Sequence, residues 1–297
     1  MVMLQIRMDF PINHVQTLEG SHRPSRPGSP AGSLCGVGLS DGFIEMIGKP
    51  DGSVPVEALA LEIARHAHPD LCVARSLDVL DDLADACPSP SVESICRFLF
   101  VDRGFAGNSE NYYDPCNSLL DVVIESRRGI PITLSIVLIA IGSRLGLEFH
   151  GVGLPGHFLV GVDHRKESFI DPFGGGQELD LAGVRRLHHR LHGADRAFGP
   201  EMLEPVGPRA MARRMLGNLD AIYASRRDLR SRLWASTLRA SIPGASLEEE
   251  ADVASAHAAI GSFDSAADRL EMLALRSPAR IAGNYRSVAA RWRSQLN

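Results

Sequence analysis

The stretch RRGIPITLSIVLIAIGSRLGL, residues 127–147, decides the fold. Its centre is apolar at nearly every position, which predicts a helix buried on all sides rather than an amphipathic surface helix. Pro131 suits the first turn of that helix, because the N–H that proline lacks would be unpaired there anyway. Gly146 is a natural C-terminal stop. The apolar run from Ile130 to Ile141 is too short to span a bilayer, so we expect the helix inside a globular domain.

Two predicted strands follow this helix, HFLVGV at 157–162 and SFIDP at 168–172. If their hairpin is centred near His164, His157 lies directly opposite Asp171 on one face of the sheet. The carboxylate could then bond one ring nitrogen of the imidazole and leave the other nitrogen as a base. A slip of one residue would destroy this pairing. The alternative is a His–Asp pair that only stiffens the hairpin.

A base needs a nucleophile, and the start of the buried helix is the best place for one. A helix N-terminus stabilises an anion and can lower the pKa of a thiol. The residue there is Pro131, which has no reactive group. Thr133, on the same helix, and Cys116, in the turn-rich segment YYDPCNS, remain as candidate nucleophiles. Both have ordinary structural alternatives, a buried hydrogen-bonding hydroxyl and a small inert side chain.

Upstream of this region, residues 1–45 are rich in Pro, Gly and Ser, and we expect a disordered leader. Residues 54–87 predict two amphipathic helices, and SVESICRFLFVDRGF predicts a third that ends at Gly104. SLLDVVIESRR predicts a short helix that stops at Gly129.

The C-terminal part of the chain is predicted to be helical and contains an internal repeat. YASRRDLRSRL begins at Tyr223 and HAAIGSFDSAADRL begins at His257, an offset of 34 residues. That period is typical of tetratricopeptide repeats. We therefore predict an α+β domain over residues 46–205 and a helical, tetratricopeptide-like region over residues 206–297.

Composition and charge limit the functional classes. The chain has 297 residues, 44% of them hydrophobic and 23% charged, with a formal net charge of -5. This balance is typical of a globular protein, and it disfavours a nucleic-acid coat. The five cysteines include no Cys-x-x-Cys pair, which favours a reducing compartment over a disulfide framework. With no apolar run at the start, we expect a cytoplasmic protein without membrane or nucleic-acid partners.

His188 and His192 are four residues apart, the spacing that zinc sites use on one helix face. No third ligand follows at a sequence spacing typical of zinc sites. The segment LAGVRRLHHRLHG is more simply interpreted as an exposed basic helix. The sequence therefore predicts no metal and no cofactor.

Three blocks of the sequence resemble a known family: NYYDPCNSLLDVVIESRRGIPITLSIVLIAIGSRLGL, GVGLPGHFLVGV and FIDPFGGG. They are similar to the bacterial SirB-type proteins, a transglutaminase-like family usually followed by tetratricopeptide repeats. The resemblance covers about residues 54–275. It implies an α+β fold with a papain/transglutaminase-like core, N-terminal helices and a C-terminal helical-repeat tail.

The wider transglutaminase-like superfamily carries a Cys–His–Asp triad, with a Gly-x-Cys at the start of the buried helix. The resemblance puts the glycine of that motif on Gly129 and the cysteine on Pro131. It puts the triad histidine on His157 and the triad aspartate on Asp171. Two triad members are thus retained and the nucleophile is lost, which implies a regulatory or protein-binding pseudoenzyme rather than a thiol enzyme.

A retained site of this kind would still form a cleft. The residues expected to line or brace it are Tyr112, Tyr113, Asp114, Asn117, Arg127, Arg128, Gly129, Gly156, Phe173 and Gly175. Three hypotheses follow. The first is a non-catalytic domain that binds a protein or peptide partner. The second is a hydrolase or acyltransferase with Cys116 or Thr133 as nucleophile and His157 as base, and the third is a purely structural scaffold.

Overall fold

The computed structural model describes residues 39–162 and 167–296, and over them the chain has the predicted α+β fold. The helices up to the central one are α1 (Asp41–Gly48), α2 (Val56–Ala67), α3 (Val73–Asp85), α4 (Val92–Arg97), α5 (Leu120–Ser126) and α6 (Pro131–Arg144). Two short parallel strands, β1 (Ala106–Gly107) and β2 (Arg128–Gly129), frame the start of α6.

The main sheet and the C-terminal helices follow α6. The sheet strands are β3 (His150–Val152), β4 (Leu159–Gly161), β5 (Ser168–Asp171), β6 (Gln177–Asp180) and β7 (Pro205–Val206). The helices are α7 (Leu181–His192), α8 (Pro208–Arg226), α9 (Leu229–Ser241), α10 (Leu247–Ala259), α11 (Phe263–Arg276) and α12 (Ala279–Arg293).

Helix α6 is buried along almost its whole length, as the apolar run predicted. Ile136, Leu138 and Ile141 have no exposed surface. The helix begins at Pro131 and ends before Gly146, which has a positive φ of 76°. The helices on the N-terminal side of α6 and one face of the sheet pack around it in a single apolar cluster.

The sheet is antiparallel, in the order β6-β5-β4-β3-β7, and its two faces are covered by different helices. Phe158, Val160 and Ile170 pack in the cluster of α6. Leu159 and Phe169 point the other way, toward α7. The alternation that separates these two sets is the normal period of a β-strand.

The expected exposed basic helix over LAGVRRLHHRLHG is therefore a half-buried one. Helix α7 buries Val184, Leu187 and His188 against the outer face of the sheet. Its arginines are on the opposite side, so the sequence shows a basic helix without showing that one face is covered. The interpretation as a surface helix was wrong on this point.

The hairpin of β4 and β5 forms in a different register from the predicted one, and His164 lies outside the described residues. Val160 pairs with Ile170 and Gly161 with Phe169. Continuing this register puts Leu159, not His157, opposite Asp171. The error is two residues, so the alternation of faces is preserved and His157 remains a diagonal neighbour of Asp171.

Two predicted boundaries were also wrong. Of the expected leader, residues 1–45, residues 1–38 lie outside the described residues. The remainder contains the start of α1 at Asp41. Ser40 caps α1 by accepting a hydrogen bond from the Phe43 N–H, and Phe43 is completely buried. Helix α5 ends before Gly129, because Arg127 takes the left-handed conformation with φ 58° and terminates it.

The C-terminal helices pack each on the next, but the core does not divide at residue 206. Leu219 of α8 and Trp234 of α9 share a cluster with Leu59 and Ile63 of α2. Only α10, α11 and α12 form a cluster of their own. In the described part of the chain, no helix combines the length and the apolar character needed to cross a membrane.

The two sequence segments that lie 34 residues apart span the turns of successive helix pairs, α8 with α9 and α10 with α11. The turn inside each pair contains one residue with positive φ, Arg227 at 56° and Gly261 at 84°. These two residues are one repeat period apart in the sequence. The first pair therefore keeps the turn geometry of the second although it lacks the glycine that makes this geometry easy.

Leu138→Ala should lower the free energy of unfolding by about 2–5 kcal/mol, because it leaves a cavity in a fully buried helix. Chemical denaturation followed by circular dichroism measures this loss. Val101→Ala is the control, because Val101 is 69% exposed, and it should change stability by less than about 0.5 kcal/mol. Equal effects of the two substitutions would mean that α6 is not the centre of the core.

Candidate functional site

His157 and Asp171 form a buried hydrogen-bonded pair. The distance from His157 Nε2 to Asp171 Oδ1 is 2.9 Å, and each residue is only 6% exposed. A carboxylate can only accept, so Nε2 carries a proton, and in the neutral imidazole Nδ1 is then the nitrogen with a lone pair. Nδ1 makes no hydrogen bond to any residue that the structure describes. The pair can therefore hold the imidazole in one tautomer and orientation.

The glycine-rich turn after β5 is built around the Asp171 carboxylate. Gly174 N–H donates to Asp171 Oδ1 over 3.0 Å. A Cβ atom on Gly174 would lie 2.8 Å from Asp171 Oδ2, closer than real Cβ contacts allow. Gly175 and Gly176 have positive φ of 80° and 78°, which explains the remaining glycines of the DPFGGG segment.

Aromatic side chains cover one side of the pair. The Phe173 ring packs edge-on against His157, with centroids 6.1 Å apart, and against Tyr112 at 5.8 Å. Gly107 of β1 runs so close to Phe173 that a Cβ atom there would lie 2.6 Å from the ring. Because Gly107 pairs with Gly129 of β2, this aromatic wall is next to the segment that enters α6.

The start of α6 holds no group that is free to attack a substrate. Pro131 is its first residue and is buried. The Thr133 hydroxyl donates to the Asn117 carbonyl over 2.8 Å and accepts from the Ile130 N–H over 3.1 Å. The Ser135 hydroxyl donates to the Pro131 carbonyl over 2.8 Å. Both hydroxyls satisfy backbone groups of the helix start, so neither contacts His157.

Asn117 and Gly129 are structural parts of this helix start. Asn117 is 3% exposed; its side-chain oxygen accepts from Asn108 and its amide nitrogen donates to the Asn111 carbonyl. A Cβ atom on Gly129 would lie 2.7 Å from Thr133 Oγ1. Glycine at this position is therefore required by the close approach of the Thr133 side chain.

Cys116 lies at the surface of the protein in a setting that disfavours the thiolate. Partial burial of the sulfur and the neighbouring Asp114 carboxylate raise the pKa of the thiol to about 11. The Asp114 side chain accepts from the Cys116 N–H over 3.0 Å and so begins a short helical turn. Cys116 makes no hydrogen bond to His157, and at neutral pH it is protonated.

Of the other expected cleft residues, one is next to His157 and three are exposed at the surface. Gly156 adjoins His157 and has a positive φ of 63°. Tyr113 is 57% exposed, and its carbonyl accepts from Arg226. Arg127 is exposed and donates to the Arg103 carbonyl over 2.9 Å. Arg128 is exposed as well, and its guanidinium makes no hydrogen bond within the described segments, so the two arginines do not reach His157.

Sequence reasoning missed Arg214, which holds the loop before His157. Its Nη2 donates to the carbonyls of Leu154, over 2.8 Å, and of His157, over 2.6 Å. The guanidinium carbon is also 5.3 Å from the centre of the Phe158 ring. Arg214 lies on α8, beyond the predicted domain boundary. The one available clue was the resemblance to the family, which continued through RRMLGNLD.

His192 was considered as a metal ligand, but it holds the same loop from the other side. Its Nε2 lies 2.8 Å from the Pro155 carbonyl. The buried His188 packs its ring 5.0 Å from that of His192, and neither nitrogen of His188 has a hydrogen-bond partner among the described residues. Across residues 39–162 and 167–296, no three His, Cys, Asp or Glu side chains are grouped so that they could hold a metal ion.

Comparison with known proteins identifies the family. Residues 56–217 match the transglutaminase-like superfamily. A UPF0162 protein of Xylella fastidiosa (strain 9a5c) is 37% identical over 190 residues, which cover 59% of this chain and 67% of that protein. A UPF0162 protein of Pseudomonas aeruginosa is 28% identical over 146 residues, covering 49% of this chain and 52% of the relative.

A more distant similarity extends to eukaryotes. F-box only protein 21 of Homo sapiens is 30% identical over 140 residues, covering 44% of this chain and 21% of the human protein. No solved structure gives a significant match to the chain. The matched segment contains α6, the sheet and the His157–Asp171 pair, and it covers more than half of the sequence. The chain therefore belongs to the transglutaminase-like superfamily.

Proposed function

We propose that this protein is a non-catalytic, regulatory member of the superfamily that binds a peptide or protein partner. The observation that carries the proposal is Pro131 at the first position of α6, where a nucleophile would be best activated. A pyrrolidine ring has no group that His157 could deprotonate. The His157–Asp171 pair then serves as part of a binding cleft.

The second candidate is a hydrolase or acyltransferase with a relocated nucleophile. Such an enzyme needs a thiol or hydroxyl within hydrogen-bond reach of His157. The Thr133 hydroxyl is already engaged by Asn117 and Ile130, and the pKa of Cys116 is raised rather than lowered. Both observations favour the non-catalytic role.

The C-terminal helices offer a second surface for a partner. We assign them to the tetratricopeptide-like class, on the basis of the repeat period and the matching turns at Arg227 and Gly261. Met272 and Leu275 of α11 are 60% and 73% exposed, an unusual pair of apolar side chains on a helix surface. Met272 lines two grooves, of about 580 and 480 Å³, and Leu275 lines the first of them.

The free cysteines support action in a reducing compartment, and we propose the cytoplasm. Cys72, Cys87, Cys96 and Cys116 form no disulfide among the described residues. A chain of this size with unpaired thiols is typical of the cell interior.

Alkylation of the folded protein across pH tests whether any cysteine is catalytic. Because its pKa is raised to about 11, Cys116 should react at pH about 8 ten- to a hundred-fold more slowly than the same thiol in unfolded protein. Mass spectrometry of each cysteine measures the rates. If Cys116 reacts rapidly at neutral pH, and His157→Ala abolishes that reactivity, the protein is an enzyme and the proposal fails.

Pro131→Cys tests whether proline is the reason for the missing chemistry. A thiol introduced at the start of α6 should have a pKa below the free value of about 8.5, because the helix N-terminus favours the thiolate. It should be alkylated at least ten-fold faster than Cys116 at neutral pH, and adding His157→Ala should slow it. Pro131→Ala controls for folding. An introduced thiol that titrates like a free cysteine would mean that the site is not arranged as a triad.

Leu275→Asp tests the surface of α11. It should reduce recovery of a partner from cell extract by about ten-fold without lowering the melting temperature, because the side chain is exposed. Val79→Asp on α3 is the matched control, since Val79 is also an exposed apolar residue. A partner lost with His157→Ala but retained with Leu275→Asp would assign binding to the cleft. No specific partner for the wild-type protein would favour the scaffold hypothesis.

A further inference from the structure

Arg214 is a guanidinium that forms no ion pair within the described part of the chain. It is half-buried, and no described carboxylate lies within ion-pair distance of it. The adjacent Arg213 differs, because it is paired with Glu249. Arg232, on the next helix, is paired with Asp220 at 3.2 Å. Since buried charges in proteins are normally paired, the exception at Arg214 needs an explanation.

The hydrogen bonds of Arg214 use only part of the guanidinium. Nη2 makes both contacts to the carbonyls of Leu154 and His157. Nη1 and Nε donate to no described residue. A Cβ atom on Gly153 would lie 3.3 Å from Nη1, so the glycine allows the guanidinium to approach the backbone of this loop closely. The guanidinium therefore retains donors after it has fixed the loop.

Tyr112 supplies a second uncommitted donor near His157. Its ring packs on Phe173, which in turn packs on His157. Its hydroxyl makes no hydrogen bond to any residue in the described ranges. Burial raises the pKa of the Tyr112 phenol, so the group is a neutral donor, and the positive charge of Arg214 acts on it in the opposite direction. Burial also lowers the pKa of Arg214, as expected for a cation that lacks a counterion.

We propose that Arg214 and Tyr112 form a carboxylate-binding subsite at the His157 end of the cleft, and that it takes a carboxylate of a bound peptide. One uncompensated positive charge matches one negative charge. The Asp171 carboxylate, 2.9 Å from His157 Nε2, makes a dianion such as phosphate less favourable at this end of the cleft. The subsite rests on the proposed function, because it defines what the cleft recognises in a partner.

Arg214 also has a purely structural explanation, in which it only braces the loop of Leu154 and His157. A brace gives no reason for the cleft to distinguish a carboxylate from an amide. The subsite requires that distinction, because charge-assisted hydrogen bonds to a carboxylate are lost when it is converted to an amide.

The test is an NMR titration of the full-length protein with three peptide probes, N-acetyl-Gly-Gly, its C-terminal amide and N-acetyl-Gly-Glu amide, and separately with inorganic phosphate. Binding is followed at the backbone amides of His157 and Gly174. At least one carboxylate-bearing probe should bind about ten-fold tighter than the uncharged amide. Preference between the two carboxylate probes tells whether the subsite takes a C-terminal or a side-chain carboxylate.

Two variants keep the test independent of folding. Tyr112→Phe keeps the ring that packs on Phe173 and should reduce the preference for carboxylate by about two- to ten-fold. Tyr113→Phe, at the exposed neighbour, should leave the preference unchanged. Arg214→Lys keeps the charge but loses the planar fork, and it should reduce the preference further.

Equal binding of the three probes, tighter binding of inorganic phosphate, or no binding at His157 would each overturn the subsite. Equal binding of all three peptides would leave the proposed peptide-binding function intact. The alkylation of Cys116 tests the non-catalytic role separately, so failure of one proposal can be distinguished from failure of the other.

Discussion

The burial of α6 on every side is the constraint on which the rest of the structure depends. A helix with no solvent-exposed face must find hydrogen-bond partners for its terminal N–H and C=O groups within the protein. At its start, proline removes one N–H, and the Thr133 hydroxyl accepts from the Ile130 N–H and donates to the Asn117 carbonyl. These requirements hold β1, β2 and the loop around Asn117 in place. The same loop carries Tyr112, so the aromatic contacts beside His157 are a consequence of how the central helix begins.

The elements that depend on neighbouring residues alone could be predicted from the local sequence. The apolar run and Pro131 predicted α6, and the alternation of HFLVGV predicted the strand that follows His157. The hairpin register was missed by two residues because it depends on the turn, whose sequence does not specify a centre. The burial of α7 was missed because arginines and histidines dominate its sequence. Arg214 was out of reach, because its contact with His157 joins segments that are 57 residues apart.

The backbone around the start of α6 and around the His157–Asp171 pair is closely fitted to neighbouring side chains. The absence of a side chain at Gly174 leaves room for the Asp171 carboxylate, and its absence at Gly129 leaves room for Thr133. Pro131 also restricts the unfolded chain, since its φ is fixed near the helical value. Pro131 therefore favours the folded state as well as the start of α6. For the proposed function, this gives a physical reason to have proline at the position where a nucleophile would be best activated.

Arg214 has a consequence for communication between the two parts of the chain. It is a residue of α8, the first helix of the C-terminal array, yet it binds the carbonyl of His157 directly. Any tilt of α8 must move the loop of His157 or break that hydrogen bond. If occupancy of the cleft and of the helical surface differ in the position of α8 that they favour, each event changes the affinity of the other by the same factor. The Arg214 side chain alone would then couple binding at the cleft to binding at the helical surface.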